Sequence, residues 1–359
     1  MKKPVAIVGS RGYSGLVLAR IILSHPYMEL KACFSRDANW NLSEDLPEAT
    51  AQNIAHISTD DIVKHSDQFA TIFLATPADA SMSLVGELKD TDAQIIDLSG
   101  AFRLDLENHL NYYGFAQTQT TALNKSLYGL VPFVDAKALV KAKLIANPGC
   151  YATSVLMALI PLLKNNLIEK NSIVIDAKSG TTGAGKKASE NLNFSEVDGG
   201  CLPYKVGRHQ HLPEIIKYTE SYSGQNIDPF FTTHLLPVRR GIIAGIYAKP
   251  ISQDLSHGNS SDEKVTQEII NAYAKSYENY PLVKIANLTA KESNPLLTLQ
   301  KVVGSARTQI VFHVLNGKIY VFSLIDNLMK GAASQAIENW NLSHGFDLET
   351  GIINQEGLL

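Results

Sequence analysis

A chain of 359 residues with a formal net charge of −3 has room for two domains, each with its own core. It carries no basic excess that would direct it to nucleic acid or to an anionic membrane. A hydrophobic share of 45% and a charged share of 19% describe an ordinary globular protein, and no run approaches the roughly 18 consecutive apolar residues of a membrane span.

The three cysteines, Cys33, Cys150 and Cys201, have no framework spacing and predict free thiols in a reducing cytoplasm. Lys2 and Lys3 precede the apolar run Val5–Val8, which is too short for the core of a signal peptide. Pro4–Val8 instead predicts a buried strand. It runs into Gly9-Ser10-Arg11-Gly12-Tyr13-Ser14-Gly15 and then a helix to about Ser24, stopped before Pro26. In a strand–loop–helix unit, glycines let the backbone approach a pyrophosphate, and the helix start offers N–H groups and partial positive charge. Gly9, Gly12 and Gly15, with Arg11, Tyr13 and Ser14 among them, are therefore candidate dinucleotide contacts. The spacing is G-x-x-G-x-x-G rather than G-x-G-x-x-G, and a tight turn with close helix–strand packing is the plainer alternative.

A second predicted strand, Leu30–Phe34, contains Cys33 as core and ends at Ser35-Arg36. In NAD-specific folds that strand end usually carries an acid for the ribose 2′-hydroxyl. A hydroxyl here, with the guanidinium groups of Arg36 and Arg11, suits a 2′-phosphate and predicts NADP over NAD. Thr71–Ala75 and Gln94–Asp97 predict further parallel strands. Thr76-Pro77 follows the first of them, at a carboxyl end where such sheets bind ligands. Ser99-Gly100-Ala101-Phe102-Arg103 follows the second, and Arg103 is a candidate to grip a substrate carboxylate or phosphate.

The strand Lys143–Ala146 delivers the chain to Asn147-Pro148-Gly149-Cys150-Tyr151-Ala152-Thr153-Ser154, and a helix is predicted over Ala152–Leu163. Cys150 stands at the Pro-Gly turn, beside the free N–H groups of a helix start. Partial positive charge there favours the thiolate, the nucleophilic form. The bland alternative is a buried, inert cysteine.

Beyond Leu163 the pattern changes. Ser172–Ala177 predicts a strand, followed by the loop Ser179-Gly180-Thr181-Thr182-Gly183-Ala184-Gly185-Lys186-Lys187. Its backbone N–H groups and lysines could hold an anion, although it lacks the ATP P-loop form. His209 and His211 come just before a predicted helix, Glu214–Ser221, as candidate general base or acid; if the segment is extended, the two share a face. No third and fourth ligand cluster with them, so no metal is predicted. Phe230–Leu235 and Ile242–Ala248 read as two strands around a basic turn containing Arg240. Ser252–Glu263 reads as a surface loop. Gln309–Leu315, Asn316-Gly317 and Lys318–Ile325 predict a hairpin, and an amphipathic helix follows, opening at Asp326–Ala333 and running to about Leu342. The second half is thus α+β on a largely antiparallel sheet.

Together these pieces resemble, in order and over nearly the whole chain, the long-form N-acetyl-γ-glutamyl-phosphate reductases, within the wider aspartate-semialdehyde dehydrogenase-like group. The matching stretches are Gly9–Gly15, Asp97 to Arg103, Asn147–Ser154, Ser179–Gly185, His209–Glu214, His234–Pro237 with Arg240-Gly241, and Asp326–Ala333. The chain departs from the family's usual pattern at Gly100-Ala101, at Tyr128–Phe133 and at Leu212. A lysine-pathway reductase of a carrier-bound acyl phosphate shares much of the same pattern.

The resemblance implies a Rossmann NADP domain over 1–149 plus 327–359 and a catalytic and oligomerisation domain over 150–326, in a cytoplasmic homo-oligomer, dimer or tetramer. It implies reduction of an acyl phosphate by NADPH through a Cys150 thioester. His209 is its first choice for the base and His211 the second. Arg103, Arg240 and Ser99 would meet substrate; Thr76, Pro77, Ser179, Gly180, Gly183 and Asn327 would join the glycine loop, Ser35 and Arg36 around the nucleotide. A cysteine acyl hydrolase would leave the glycine loop and Ser35-Arg36 unexplained. A non-catalytic NADP sensor would have no use for Cys150 or His209.

Overall fold

A computed structural model describes residues 2–37, 39–251, 259–288 and 296–353. They form two compact units: residues 2–149 together with 332–353, and residues 150–331.

The first unit is built on β1 (Lys3–Val8), β2 (Met28–Ser35), β3 (Ala55–Ser58), β4 (Thr71–Leu74), β5 (Gln94–Asp97), β6 (Leu127–Tyr128) and β7 (Leu144–Ala146). Their order is β3-β2-β1-β4-β5-β7-β6, and every neighbouring pair is parallel. Parallel strands are covered on both faces, which is why Val5 to Val8 and Ile72 to Leu74 are apolar without alternation and buried throughout. The strand order reverses direction at β1 and β4, the switch point where doubly wound sheets bind ligands. This is the expected Rossmann-like arrangement. The predicted strands and the first helix (Tyr13–Ser24) lie within two residues of their observed positions.

The C-terminal helix (Ser334–Ser343) belongs to this unit and differs from expectation. It is not amphipathic: Gln335, Glu338, Asn339 and Asn341 are as buried as Ile337 and Trp340. Three of these polar side chains, Gln335, Asn339 and Asn341, have backbone partners. Gln335 and Asn339 both donate to the carbonyl of Gly129, at 3.0 and 2.9 Å, and Asn341 donates to the carbonyls of Leu348 and Thr350. A π-turn, Met329–Ala333, precedes it.

The second unit is built on β8 (Val174–Ser179), β9 (Leu202–Tyr204), β10 (Phe230–Leu235), β11 (Ile242–Ala248), β12 (Val283–Asn287), β13 (Thr308–Leu315) and β14 (Lys318–Ile325), in the order β12-β13-β14-β11-β8-β10-β9. Pairing is antiparallel except for β12 with β13 and β8 with β10. The Asn316-Gly317 hairpin forms as expected, both residues having positive φ, 51° and 66°, as a type I′ turn requires. The basic stretch after β10 does not close a hairpin, because β8 is inserted between β10 and β11. Asn259–Ser276 is a helix, so the predicted surface loop stops short of Glu263; its residues 252–258 lie outside the described ones.

The helix Cys150–Lys164 runs through the middle of this unit. Every residue from Tyr151 to Leu163 is buried, against β11, β13 and β14, the helix Asn259–Ser276 and the helix His211–Ser223. A helix buried all round needs apolar residues on every face, and Val155–Leu163 supplies them. Tyr273 and Tyr277 hydrogen-bond its carbonyls at Ala158 and Met157. Cys150 thereby stands at the start of a helix buried on every side.

Candidate active site

In the first unit the glycine loop is shaped to admit a ligand. Gly9 leaves β1 with φ +83°, and a Cβ there would lie 2.6 Å from the carbonyl oxygen of Ala75; a Cβ at Gly15 would collide with the carbonyl oxygen of Gly9. Gly12 is the N-cap of the first helix and offers it no side chain. Among the described residues nothing accepts from the backbone N–H groups of Tyr13, Ser14 and Gly15. Open N–H groups at a helix start, reached by a backbone without side chains, fit a pyrophosphate.

Thr76 follows β4 beside this loop, its hydroxyl shared with Ser81 at 2.8 Å, and Pro77 caps the next helix. At the end of β2 the Ser35 hydroxyl accepts from the backbone N–H of Asp37, and Arg36 is exposed. Arg11 pairs with Asp37, Nη1 to Oδ2 at 2.9 Å. The sequence reading overlooked this carboxylate, although Asp37 follows directly on Ser35-Arg36.

Two expected substrate contacts have partners within the fold. The Ser99 hydroxyl donates to Asp97 Oδ2 and accepts from the Ala101 N–H, at 2.8 and 3.1 Å. Asp97 itself is wholly buried, and that burial raises its carboxyl above the usual range, with the Ser99 bonds opposing. Arg103 is buried, donating from Nε to the carbonyl of Asn147 and from Nη2 to that of Leu98, both at 2.7 Å. Asn147 also donates to the carbonyl of Ala332 and accepts from Asn339. The backbone three residues ahead of Cys150 is thus clamped from several sides. At Gly100 a Cβ would collide with Tyr113 Cζ and hydroxyl oxygen.

In the second unit Cys150 is half-buried and free of disulfide. Gly331 lies directly against it; a Cβ on Gly331 would stand 2.8 Å from Cys150 Cβ. His209 and His211 are both buried, with ring centroids 4.8 Å apart. They do not lie on an extended segment: His211 is the first residue of a helix, three residues earlier than predicted. Pro213 falls in the first turn of that helix, where its missing N–H is no loss.

This difference separates the two imidazoles. The backbone N–H of His211 donates to His209 Nδ1 at 3.1 Å, so a neutral His209 carries its proton on Nε2. Burial above all, then the ammonium of Lys205, hold His209 down to about 3, hence neutral near pH 7. Its walls are Tyr151, Tyr204 and Phe231, edge-on at 5.2, 5.6 and 5.7 Å. Tyr204 donates to the Tyr151 hydroxyl at 3.1 Å. Tyr204 is pushed up to about 12, chiefly by burial and also by the nearby charge of Cys150; Tyr151 is pushed higher by burial and the same neighbours. Tyr204 and Tyr151 are therefore common neighbours of the thiol and the imidazole. Neither was singled out as a site residue from sequence, because isolated tyrosines carry no spacing signal.

The second glycine-rich stretch spends several of its backbone donors within the fold. The N–H groups of Gly180, Thr181 and Thr182 donate to the carbonyls of Gly241, Val238 and Arg239, and the Thr182 hydroxyl bonds the last of these again at 2.7 Å. Asn327, expected at the cofactor, spends its amide here, accepting from Gly241 N and donating to Thr182 Oγ1 at 2.8 and 3.0 Å. Ser179 is buried with its hydroxyl on the Gly180 carbonyl, and Gly183 turns back onto Gly180. What this network fixes is Arg240. Its guanidinium meets both oxygens of buried Asp326, at 3.0 and 2.9 Å. Asp326 accepts in addition from the N–H groups of Gly304, Leu328 and Met329.

Comparison with known proteins adds a second line. Residues 4–141 match the family model described as semialdehyde dehydrogenase, NAD binding domain, and residues 150–327 that of the semialdehyde dehydrogenase, dimerisation domain. An N-acetyl-gamma-glutamyl-phosphate reductase of Geobacillus sp. (strain WCH70) is 36% identical over 97% of this chain and 98% of its own length. One from Streptococcus thermophilus is 38% identical over 97% of each. Among solved structures, aspartate semialdehyde dehydrogenase II of Vibrio cholerae, complexed with ASA, aligns with a TM-score of 0.68 at 15% identity, over 95% of this chain and 98% of that one. The Candida albicans aspartate semialdehyde dehydrogenase with NADP gives 0.63 at 13% identity over the full length of both. These two likenesses speak for the fold alone.

Proposed function

Since the chain belongs to the N-acetyl-gamma-glutamyl-phosphate reductase family, we propose that it catalyses the NADPH-dependent reductive dephosphorylation of N-acetyl-L-glutamyl 5-phosphate. The products are N-acetyl-L-glutamate 5-semialdehyde and phosphate, in arginine biosynthesis. The observation that carries the reading is a half-exposed Cys150 opening a buried helix, in a chain that matches these reductases from end to end.

Cys150, as thiolate, attacks the acyl carbon; the carbon–oxygen bond to phosphate breaks, and a thioester forms. NADPH, when bound, supplies the hydride that reduces this thioester. Gly9, Gly12 and Gly15, with the N–H groups of Tyr13, Ser14 and Gly15, hold its pyrophosphate, and Ser35, Arg36 and Arg11 its 2′-phosphate, with Thr76-Pro77 lining the same sheet edge. The tetrahedral oxygen left by reduction then carries negative charge. His209, protonated on Nε2, donates to that oxygen rather than taking a proton from it, and collapse of the intermediate expels the Cys150 thiolate and frees the aldehyde. His211 acts through its backbone, fixing the His209 tautomer. Arg240, held by Asp326, takes an anionic group of the substrate, and Arg103 orders the turn before the thiol. Met1–Gly149 with the C-terminal helix forms the NADP domain, and Cys150–Gly331 the catalytic one. We place the enzyme in the cytoplasm as a homo-oligomer, a dimer or tetramer, through the second domain.

The test is phosphate-dependent reduction of NADP by N-acetylglutamate semialdehyde, run beside the aspartate and aminoadipate semialdehydes. The expected result is activity with the first that vanishes without phosphate. Preference for another semialdehyde moves the substrate assignment; turnover independent of phosphate overturns the reaction.

A further inference from the structure

The Arg11–Asp37 pair joins the glycine loop to the end of β2, the two places that bracket the adenosine ribose in a doubly wound fold. Asp37 Oδ2 receives Arg11 Nη1 at 2.9 Å, and both side chains are about half exposed, 55% and 45%. The other carboxylate oxygen, Oδ1, accepts from the backbone N–H of Asn39 at 3.2 Å, and the Asp37 N–H is tied to the Ser35 hydroxyl at 3.1 Å. The carboxylate is therefore anchored to its own loop, while Arg11 reaches it from the glycine loop. Exposed ion pairs of this kind are weak and readily exchanged. A 2′-phosphate is the stronger partner for a guanidinium, being doubly charged and able to accept two parallel bonds.

We propose that Asp37 is a coenzyme-specificity residue, holding Arg11 when no 2′-phosphate is present and weakening NADPH relative to NADH. When NADPH binds, Arg11 passes from the carboxylate to the phosphate. Asp37, fixed by Asn39, stays close and repels the dianion. When NADH binds, the same carboxylate is an acceptor for the free 2′-hydroxyl. Ser35, Arg36 and Arg11 favour the phosphate, and Asp37 opposes them. This inference rests on the nucleotide assignment made above.

The experiment is equilibrium binding of NADPH and NADH to the full-length protein by nucleotide fluorescence and calorimetry, with no turnover. Asp37→Asn keeps the oxygen that caps Asn39 and removes the charge. It is expected to tighten NADPH by about tenfold, the scale of one water-screened carboxylate–dianion repulsion, and to leave NADH unchanged or weaker. Arg11→Gln is expected to weaken NADPH and spare NADH. A wild-type protein that binds neither nucleotide overturns the nucleotide assignment and this inference with it. A wild type that binds both, with an affinity ratio that Asp37→Asn does not move, overturns the inference alone and leaves Asp37 a loop cap.

Discussion

Two glycine-rich loops of this chain look alike in sequence and do opposite work. In Gly9–Gly15 the N–H groups of Tyr13, Ser14 and Gly15 have no acceptor among the described residues. In Ser179–Gly185 those of Gly180, Thr181 and Thr182 are all consumed by the strand end at 238–241. Both loops use glycine because something comes too close for a side chain. At Gly9 the neighbour is a carbonyl of the next strand end. At Gly180 it is the backbone of Arg239 and Arg240, 2.7 Å from where a Cβ would sit. The first loop is closed on one side and open on the other, as a ligand cradle must be; the second is closed against residues 238–241, the segment that carries Arg240. A glycine-rich loop is a binding loop only if its donors remain unspent.

The contrast can be broken at several points. The largest expected effect is chemical and confined to the second unit: Cys150→Ser should lower the rate by about 10³-fold or more, while NADPH affinity, read by fluorescence titration, stays within error. A parallel loss of binding would mean that the halves are not separable. Next is Asp326→Ala, which strips the partner from Arg240 and orphans the N–H groups of Gly304, Leu328 and Met329. Removing one member of so buried a pair should cost about 3–5 kcal/mol in denaturant unfolding.

Gly15→Ala and Gly180→Ala test the loops against each other. The first should weaken NADPH by roughly tenfold or more, about 1.4 kcal/mol or above, and leave alkylation of Cys150 by iodoacetamide unchanged. The second should cost about 1–3 kcal/mol of stability through overpacking and leave NADPH affinity intact. If both weaken NADPH alike, the second loop touches the nucleotide after all. The remaining test is a slope. His209 is held at about 3 in the folded chain against 6.5 for an ordinary histidine. Above pH 6.5 it is neutral in both folded and unfolded states. Below that, the unfolded chain takes up a proton the folded one refuses, so stability falls with acid by up to about 1.4 kcal/mol per pH unit. His209→Asn should flatten this part of the curve, and the rate should show no acid limb near 6.5 from this residue.

Local patterns carried much of the architecture into the sequence. Apolar runs without alternation marked β1, β4 and β5 because both faces of a parallel sheet are covered. Asn-Gly marked the β13–β14 hairpin, and Pro-Gly-Cys marked the helix start that holds the thiol. What stayed hidden depended on partners far along the chain. The C-terminal helix looked amphipathic because Gln335, Asn339 and Asn341 are polar, and only the carbonyls of Gly129, Leu348 and Thr350 explain why they are buried. The insertion of β8 between β10 and β11 leaves no trace in either strand's own residues. The internal partners of Ser99 and Asn327 at Asp97, Ala101, Thr182 and Gly241 are likewise invisible in their local sequence.

The sequence alone determined which groups are available: a thiol at a turn before a helix, an imidazole pair, a glycine loop after a first strand, and arginines at strand ends. These are matters of residue type and short-range spacing, and short-range geometry is set by backbone sterics. The tertiary structure alone decided which donors and acceptors were already taken. It put the His211 N–H on His209 Nδ1, closed the second glycine loop on Arg239, and set Asp37 against Arg11. Hydrogen bonds and ion pairs reach only a few ångströms in space and ignore distance along the chain, so that allocation appears only once the chain is folded.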